Sequence, residues 1–315
     1  MPDPRLDPEL ATAIDRLHAD GWLPMSRDDV GEARRNYREL ALIRAGDGVT
    51  PVASVHDDVV AGPDADVAVR VYEPTAPRGV TVVWLHGGGW VLGDLDTADA
   101  AARRVAEHLG ACVVSVDYRL APENPHPAAL QDAHAGLRWA AERRPSDRLA
   151  VGGDSAGAGL AAGVALLARD WGPRLDAQLL LYPGLDPSMT MPSVSENAEG
   201  PFLTRADMAW FYDRYLPDPA TRRDPSVALL EAAHDPDGLA GLAPAVVATA
   251  ELDPLRDEGH AHADALEAAG VAVRRLEGAG LVHGYFGLGA ASAAAHREGD
   301  RALDALGALL ASATG

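Results

Sequence analysis

The sequence predicts an α/β fold in which helices cover both faces of a mainly parallel, eight-stranded sheet. Two observations lead to this prediction. Short apolar runs such as Val80–Leu85 and Cys112–Val116 are typical of strands buried on both faces, and from the third run onward most are separated by helical stretches. Because parallel strands need crossover connections, this alternation indicates a parallel sheet between two helical layers.

Residues 1–50 are predicted to form N-terminal helices that lie outside the sheet. Asp7-Pro8 is a favourable helix start, because proline fits the first helical position. A second helix is predicted to begin at Ser26, since Ser26 and Asp29 have the spacing of a capping box, and to end at Gly46-Asp47-Gly48.

Residues 51–315 are predicted to form the main domain. Its eight candidate strands are residues 55–61, 67–72, 80–85, 112–116, 149–151, 178–181, 245–250 and 271–276. The first two are predicted to pair as a hairpin across Gly62-Pro63-Asp64. Helices are predicted at residues 97–109, 127–143, 156–169, 257–269 and 290–311.

A proline-rich stretch interrupts the alternation at about residues 185–234. Within it, Thr204 and Asp207 open an amphipathic segment that continues through Phe211 and Tyr215. We therefore predict an insertion between two strands. Together with the N-terminal helices, it is expected to form a helical cap over the sheet.

Charge and composition limit the classes of partner. The net charge of −20 argues against nucleic acid, because a polyanion would be repelled. No apolar run approaches the roughly 18 residues that span a bilayer, and the first residues lack the basic start and apolar run of a signal peptide. The single cysteine, Cys112, excludes an internal disulfide. We expect a cytoplasmic, reduced protein without a membrane partner.

The segment Gly152-Gly153-Asp154-Ser155-Ala156-Gly157 contains the pattern G-x-S-x-G. The residues before it are apolar and strand-like, and those after it favour a helix. A serine between a strand and a helix, flanked by glycines, is how the nucleophile elbow of α/β hydrolases is built. The pattern alone is weak evidence, so its meaning depends on a base, an acid and an oxyanion hole elsewhere in the chain.

A glycine loop, His86-Gly87-Gly88-Gly89-Trp90, follows the third predicted strand. Successive glycines leave the backbone free to present N–H groups to the negative charge that develops on a carbonyl oxygen during acyl transfer. The alternatives are a phosphate-binding loop and a plain flexible turn. No G-x-G-x-x-G or G-K-[ST] pattern accompanies it, which favours the oxyanion interpretation.

Ser155 needs a base, since a hydroxyl is a poor nucleophile until its proton is taken. Among the eleven histidines, His283 lies between the last predicted strand and the last helix, where a loop would face the serine. His86 is interpreted as a brace for the glycine loop. The acid that orients the imidazole is predicted to be Asp253, just past the seventh strand, with Glu258 as the alternative. The order Ser155, Asp253, His283 fits an α/β hydrolase.

Five blocks together resemble the bacterial hormone-sensitive-lipase-like esterases, a branch of the α/β hydrolases. These blocks are His86-Gly87-Gly88-Gly89-Trp90, Tyr118-Arg119-Leu120-Ala121-Pro122-Glu123, Gly153-Asp154-Ser155-Ala156-Gly157, Asp253-Pro254-Leu255-Arg256-Asp257-Glu258-Gly259 and His283-Gly284-Tyr285. The resemblance implies the α/β-hydrolase fold with a helical cap, and a catalytic triad of Ser155, His283 and Asp253. It also implies an oxyanion hole formed by the backbone N–H groups of Gly88, Gly89 and Ala156.

The resemblance further implies pairing of two chains through the last sheet strand, here residues 271–276. The sequence departs from the family at His126-Pro127-Ala128, where relatives usually carry an aromatic residue before Pro-Ala. Arg119 and Glu123 are expected to bridge the loop that follows the fourth strand.

The expected reaction is two-step hydrolysis of small-molecule esters with short to medium acyl chains. It needs neither metal nor organic cofactor. The aromatic residues expected to line an acyl or alcohol pocket are Trp90, Phe211, Tyr212, Tyr285 and Phe286. Two alternatives stay open: a hydrolase of amides, lactones, carbamates or acetyl esters, and a non-catalytic receptor on the same fold.

Overall fold

The computed structural model describes residues 3–22, 25–26, 29–45, 49–232 and 238–312. Eight strands form one sheet in the order β1-β2-β4-β3-β5-β6-β7-β8. Their bounds are β1 Ser54–Ala61, β2 Asp66–Glu73, β3 Val80–Leu85, β4 Cys112–Val116, β5 Arg148–Asp154, β6 Ala177–Leu181, β7 Ala245–Leu252 and β8 Val273–Val282. β1, β2 and β4 pair antiparallel and all other neighbours pair parallel, which confirms the predicted sheet and its first hairpin.

Helices cover both faces of this sheet. Their bounds are α1 Pro8–Ala19, α2 Val30–Ala45, α3 Leu95–Leu109, α4 Ala128–Arg143, α5 Ala156–Trp171, α6 Pro192–Glu196, α7 Arg205–Tyr215, α8 Leu229–Ala232, α9 Arg256–Ala268 and α10 Ala293–Ser312. α3 and α10 pack together on one face, whereas α4 and α5 pack together on the other. Two short 3-10 helices, Pro219–Arg223 and Tyr285–Leu288, complete the described elements.

The central strands are fully enclosed by these helices. All five residues of β4 and all five of β6 are buried, as expected for strands that carry apolar side chains on both faces. Within the described residues, no helix combines the length and apolarity that crossing a membrane requires.

α1 begins as predicted, because the Asp7 carboxylate caps it by accepting a hydrogen bond from the Leu10 N–H at 3.0 Å. The predicted capping box at Ser26 is wrong. α2 begins at Val30, and the Asp29 carboxylate accepts from the Glu32 N–H. Ser26 instead donates its backbone N–H to Asp207 of α7, a tertiary contact that no local pattern reveals. The predicted end at Gly46-Asp47-Gly48 lies outside the described residues.

The last strand is longer than predicted. The expected strand stopped at residue 276, and the residues that follow include Gly278 and Gly280, a residue type that disfavours strands. In the structure β8 continues to Val282, with a register shift opposite Ala250 and Leu252. The backbone N–H of Gly280 donates to the Glu251 carboxylate, which stabilises this glycine-rich part. As a consequence β8 ends directly before His283.

His262 of α9 is a buried polar residue that takes no part in the sheet-edge loops. Its side chain is 1% exposed, and neither ring nitrogen has a hydrogen-bond partner among the described residues. Burial lowers the pKa of His262 from 6.5 to about 4. As the pH is lowered, the unfolded chain therefore binds a proton near pH 6.5, whereas the folded chain binds it only near pH 4. The free energy of unfolding therefore decreases as the pH falls from about 6.5 to about 4.

Replacing His262 by leucine, of similar volume, should flatten this acid dependence. Between pH 7 and pH 4 the wild type should lose up to about 3 kcal/mol more unfolding free energy than the variant, because each pKa unit is worth about 1.4 kcal/mol. Urea denaturation at several pH values measures the free energy of unfolding of both proteins. The exposed His18→Gln variant should keep the wild-type slope. An unchanged slope in His262→Leu would contradict this assignment.

Candidate active site

Parallel strands bring five chain segments to one edge of the sheet. β3, β5, β6, β7 and β8 run in the same direction, so the residues that follow them lie at the same end. Those residues are the glycine loop after β3, Ser155 after β5, Tyr182 after β6, Asp253 after β7 and His283 after β8. The crevice at the carboxyl ends of parallel strands is where α/β folds bind ligands.

Ser155 occupies a tight turn between β5 and α5. Its φ of +56° and ψ of −122° are unusual for a residue with a side chain. The turn is held by a hydrogen bond from the Ser155 N–H to the Leu181 carbonyl at 2.9 Å. Cβ atoms at Gly153 or Gly157 would overlap with the Leu85 carbonyl oxygen, so both positions require glycine.

A continuous hydrogen-bonded array joins Ser155 to a buried carboxylate. The Nε2 atom of His283 lies 2.8 Å from the Ser155 hydroxyl oxygen, and its Nδ1 atom lies 2.8 Å from Asp253 Oδ2. The other Asp253 oxygen accepts from the Leu255 N–H at 2.9 Å. The Asp253 side chain is fully buried and that of His283 is 6% exposed. With Nδ1 donating to the carboxylate, Nε2 is free to accept the serine proton.

Support for the acid comes from the segment between β6 and β7. The Asn197 side-chain amide donates to the Asp253 backbone carbonyl at 3.1 Å, and the Ser193 hydroxyl donates to the carbonyl of Pro254 at 2.7 Å. The Ser193 N–H donates to Asp257, the second acid of this block. These bonds fix the loop on which Asp253 is carried.

The glycine loop lies against the same turn. Gly88 and Gly89 have φ values of +124° and +61°, which glycine adopts without strain. The Gly87 N–H donates to Asp154 at 3.0 Å, fixing the start of the loop beside Ser155. Among the described residues, the N–H groups of Gly88, Gly89 and Ala156 donate no hydrogen bond. Three backbone donors are therefore available beside the serine.

His86 braces the loop from behind. Its ring stacks on Tyr118 with centroids 4.3 Å apart, and its Nδ1 atom donates to the Gly87 carbonyl at 2.8 Å. The Tyr118 hydroxyl donates to the His86 carbonyl at 2.6 Å. Burial lowers the pKa of His86, so the ring is neutral at pH 7.

Glu258, the alternative acid, is bound elsewhere. Its carboxylate accepts from the backbone N–H groups of Leu185 and Asp186, at 2.6 Å and 2.5 Å. Burial raises the pKa of Glu258 well above its ordinary value. The structure therefore brings Asp253, and not Glu258, to His283.

A cavity of ≈ 40 Å³ opens at Ser155 between the sheet edge and α7. Of the predicted pocket residues, Trp90, Phe211 and Tyr212 line this cavity. The Phe211 ring packs so closely on Gly89 that a Cβ atom at residue 89 would overlap with it. Further lining residues that the sequence analysis did not single out are Met25, Tyr37, Phe202, Leu203, Met208 and Leu255.

Tyr285 and Phe286, which were also expected to line the pocket, are not among the residues that line this cavity. They lie in the 3-10 helix after His283. Tyr285 packs edge-on against Tyr182 with centroids 5.2 Å apart, and Phe286 packs against Trp84 at 5.9 Å, beneath the Arg104 guanidinium. Side-chain direction in a single 3-10 turn is not visible from the sequence.

Arg119 and Glu123 each connect the loop after β4 to another element. Arg119 forms a forked ion pair with the fully buried Asp132 of α4. Glu123 pairs with Arg34 of α2 instead, at 2.7 Å. Both residues hold the loop after β4, but each through a partner distant in sequence.

The chain is similar to known hydrolases over most of its length. Residues 82–287 match a family model described as the alpha/beta hydrolase fold. The chain is similar to carboxylic ester hydrolase LipN of Mycobacterium tuberculosis, with 41% identity covering 94% of this chain and 81% of LipN. It is also similar to carboxylesterase NlhH of the same organism, with 40% identity covering 96% of each chain.

Two solved structures are similar over nearly the whole chain. LAE6, an alpha/beta hydrolase enzyme from the metagenome of Lake Arreo, superposes with a TM-score of 0.90 and 35% identity, covering 98% of this chain and all of that one. The esterase of Pyrobaculum calidifontis superposes with a TM-score of 0.84 and 36% identity, covering 98% of both chains.

Proposed function

This chain belongs to the hormone-sensitive-lipase-like branch of the α/β hydrolases, and on that premise we propose that it is a serine carboxylesterase. The observation that supports the proposal most strongly is the unbroken array from Asp253 through His283 to Ser155, beside three backbone donors. Ser155 is the proposed nucleophile, His283 the base and Asp253 the acid. Gly88, Gly89 and Ala156 are the proposed oxyanion donors.

In the first step Ser155 Oγ attacks the ester carbonyl carbon while its proton passes to His283 Nε2. Negative charge develops on the carbonyl oxygen, and the N–H groups of Gly88, Gly89 and Ala156 stabilise it. The tetrahedral intermediate then breaks its bond to the alcohol oxygen. His283 returns the proton to that oxygen, so the alcohol leaves neutral and an acyl-enzyme remains.

In the second step water attacks the acyl-enzyme. His283 takes the proton of the water, the same donors stabilise the second oxyanion, and the proton returns to Ser155 as the carboxylic acid leaves. Asp253 holds the imidazole in the correct tautomer and stabilises its charged form. All proton transfers are carried out by the chain itself.

The cavity favours short to medium acyl chains. The helix α7 supplies Met208, Phe211 and Tyr212 to its wall. These side chains lie three and four residues apart and so share one face of the helix. The apolar wall fits an alkyl chain, and Phe211 limits the space next to the oxyanion donors.

We extend the proposal to the organisation of the molecule. The N-terminal helices and the insertion act together as a cap, supported by the hydrogen bond from Ser26 to Asp207. Two chains pair through β8, which forms one edge of the sheet. The net charge of −20 and the single cysteine fit a cytoplasmic enzyme that acts on small molecules and not on nucleic acid.

Replacing Ser155 by alanine should lower kcat for p-nitrophenyl butyrate at least about 10³-fold, because the nucleophile is lost and only oxyanion stabilisation and binding remain. Steady-state kinetics measure the loss, and circular dichroism checks that the fold is intact. Ser312→Ala removes a hydroxyl far from the site and should keep wild-type kinetics. Undiminished hydrolysis by Ser155→Ala would exclude the proposed mechanism.

Replacing Phe211 by leucine should shift the preferred acyl chain toward longer members of a p-nitrophenyl ester series. The smaller side chain leaves space beside Gly89, so kcat/KM for octanoate should rise several-fold relative to butyrate, at about 0.8 kcal/mol per buried CH₂. Phe286→Leu, outside the cavity, is the matched control. A chain-length profile that stays unchanged, or that shifts equally in the control, would show that Phe211 does not limit the cavity.

A further inference from the structure

Arg34 of α2 makes an unusual set of contacts for a partly exposed arginine. Its Nε atom donates to the Val91 carbonyl at 2.9 Å, and its Nη2 atom donates to the Ala121 carbonyl at 2.9 Å. The same guanidinium forms two parallel hydrogen bonds to the Glu123 carboxylate, at 2.9 Å and 2.7 Å. One side chain thereby connects α2 with two separate loops of the main domain.

Both loops belong to the support of the oxyanion donors. Val91 follows the glycine loop directly, and its N–H donates to the Gly88 carbonyl at 3.1 Å. The Ala121 N–H donates to the Trp90 carbonyl at 2.9 Å, so the two loops are already joined to each other. Arg34 donates to one carbonyl in each of these two loops, that of Val91 in the first and that of Ala121 in the second.

The outer half of the glycine loop needs such support. Trp90 has a φ of +62°, a conformation that costs free energy for a residue with a large side chain. The start of the loop is fixed by Gly87 and Asp154, but Gly88 and Gly89 lie between that point and the strained Trp90. The hydrogen bonds from the charged Arg34 side chain to the Val91 and Ala121 carbonyls hold the strained Trp90 conformation in place.

The ion pair between Arg34 and Glu123 contributes less to holding the loop than the two hydrogen bonds to carbonyls. The Glu123 side chain is 57% exposed, and ion pairs in water contribute little to stability. The Arg34 side chain is 30% exposed, so its bonds to the two carbonyls are more shielded from solvent. Glu123 orients the guanidinium, while the carbonyl bonds act on the loop.

We infer that Arg34 is a positioning residue for the oxyanion hole, coupling α2 to stabilisation of the transition state. The inference rests on the proposed function. Arg34 touches neither the serine nor the histidine, and acts through the loop that carries the N–H groups of Gly88 and Gly89. Its loss should affect the step in which charge develops on the substrate oxygen more than the binding of the uncharged ester.

The test compares Arg34→Met and Arg34→Lys with the same substitutions at Arg35. Arg35 is exposed on the same helix, so these controls match the change in charge and helix propensity. Lysine keeps the charge but cannot reach two carbonyls and a carboxylate with a fixed fork. Kinetics are measured with p-nitrophenyl butyrate, together with the inactivation rate by a p-nitrophenyl alkylphosphonate and the melting temperature.

For Arg34→Met we expect kcat to fall about 10- to 100-fold with KM within about twofold, since small displacements of catalytic groups cost this much. The phosphonate inactivation rate should fall by the same factor as kcat/KM, because the phosphoryl oxygen occupies the oxyanion position. Arg34→Lys should retain an intermediate rate. The Arg35 variants should keep wild-type kinetics.

Two results would overturn the inference while leaving the proposed function intact. One is a lowered melting temperature with unchanged kcat, which indicates a purely structural role. The other is a rise in KM with unchanged kcat, which indicates a role in substrate binding. A wild-type chain that neither hydrolyses the ester nor reacts with the phosphonate would instead reject the proposed function, and the inference with it.

Discussion

Close packing of the Ser155 turn against the end of β3 is the constraint on which the rest of the site depends. Gly153 and Gly157 lie so near the Leu85 carbonyl that neither tolerates a side chain. This contact places Ser155 beside the glycine loop, because that loop begins directly after Leu85. Ser155 and the backbone N–H groups of the glycine loop are thus held at a fixed separation by backbone packing, whose geometry does not depend on flexible side chains.

A second constraint on the site is that one of its carboxylates, that of Asp253, lies out of contact with solvent. Asp253 is fully buried, and an isolated buried carboxylate would be costly. It is accommodated by hydrogen bonds from His283 and from the Leu255 N–H, while Asn197 and Ser193 fix the surrounding backbone. The segment between β6 and β7 therefore contacts two parts of the site, since it supports the loop that carries Asp253 and also supplies Phe211 to the cavity.

Sequence alone predicted the sheet and the candidate residues because both rest on local patterns. Strands and tight turns have compositional signatures, and chain order assigns loops to one edge of a parallel sheet. What the sequence could not predict depends on distant contacts. Ser26 binds Asp207 instead of capping α2, and β8 extends through glycines that β7 and Glu251 stabilise. Tyr37 reaches the cavity only because α2 folds back over the sheet.

In the proposed mechanism, His283 and Asp253 activate Ser155 and no other serine. The most direct measurement is the site of covalent reaction with a p-nitrophenyl alkylphosphonate, found by intact mass and peptide mapping with p-nitrophenol release followed in parallel. We expect one adduct per chain, on Ser155, with one equivalent of p-nitrophenol released. An unmodified chain, or an adduct on a different residue, would contradict it.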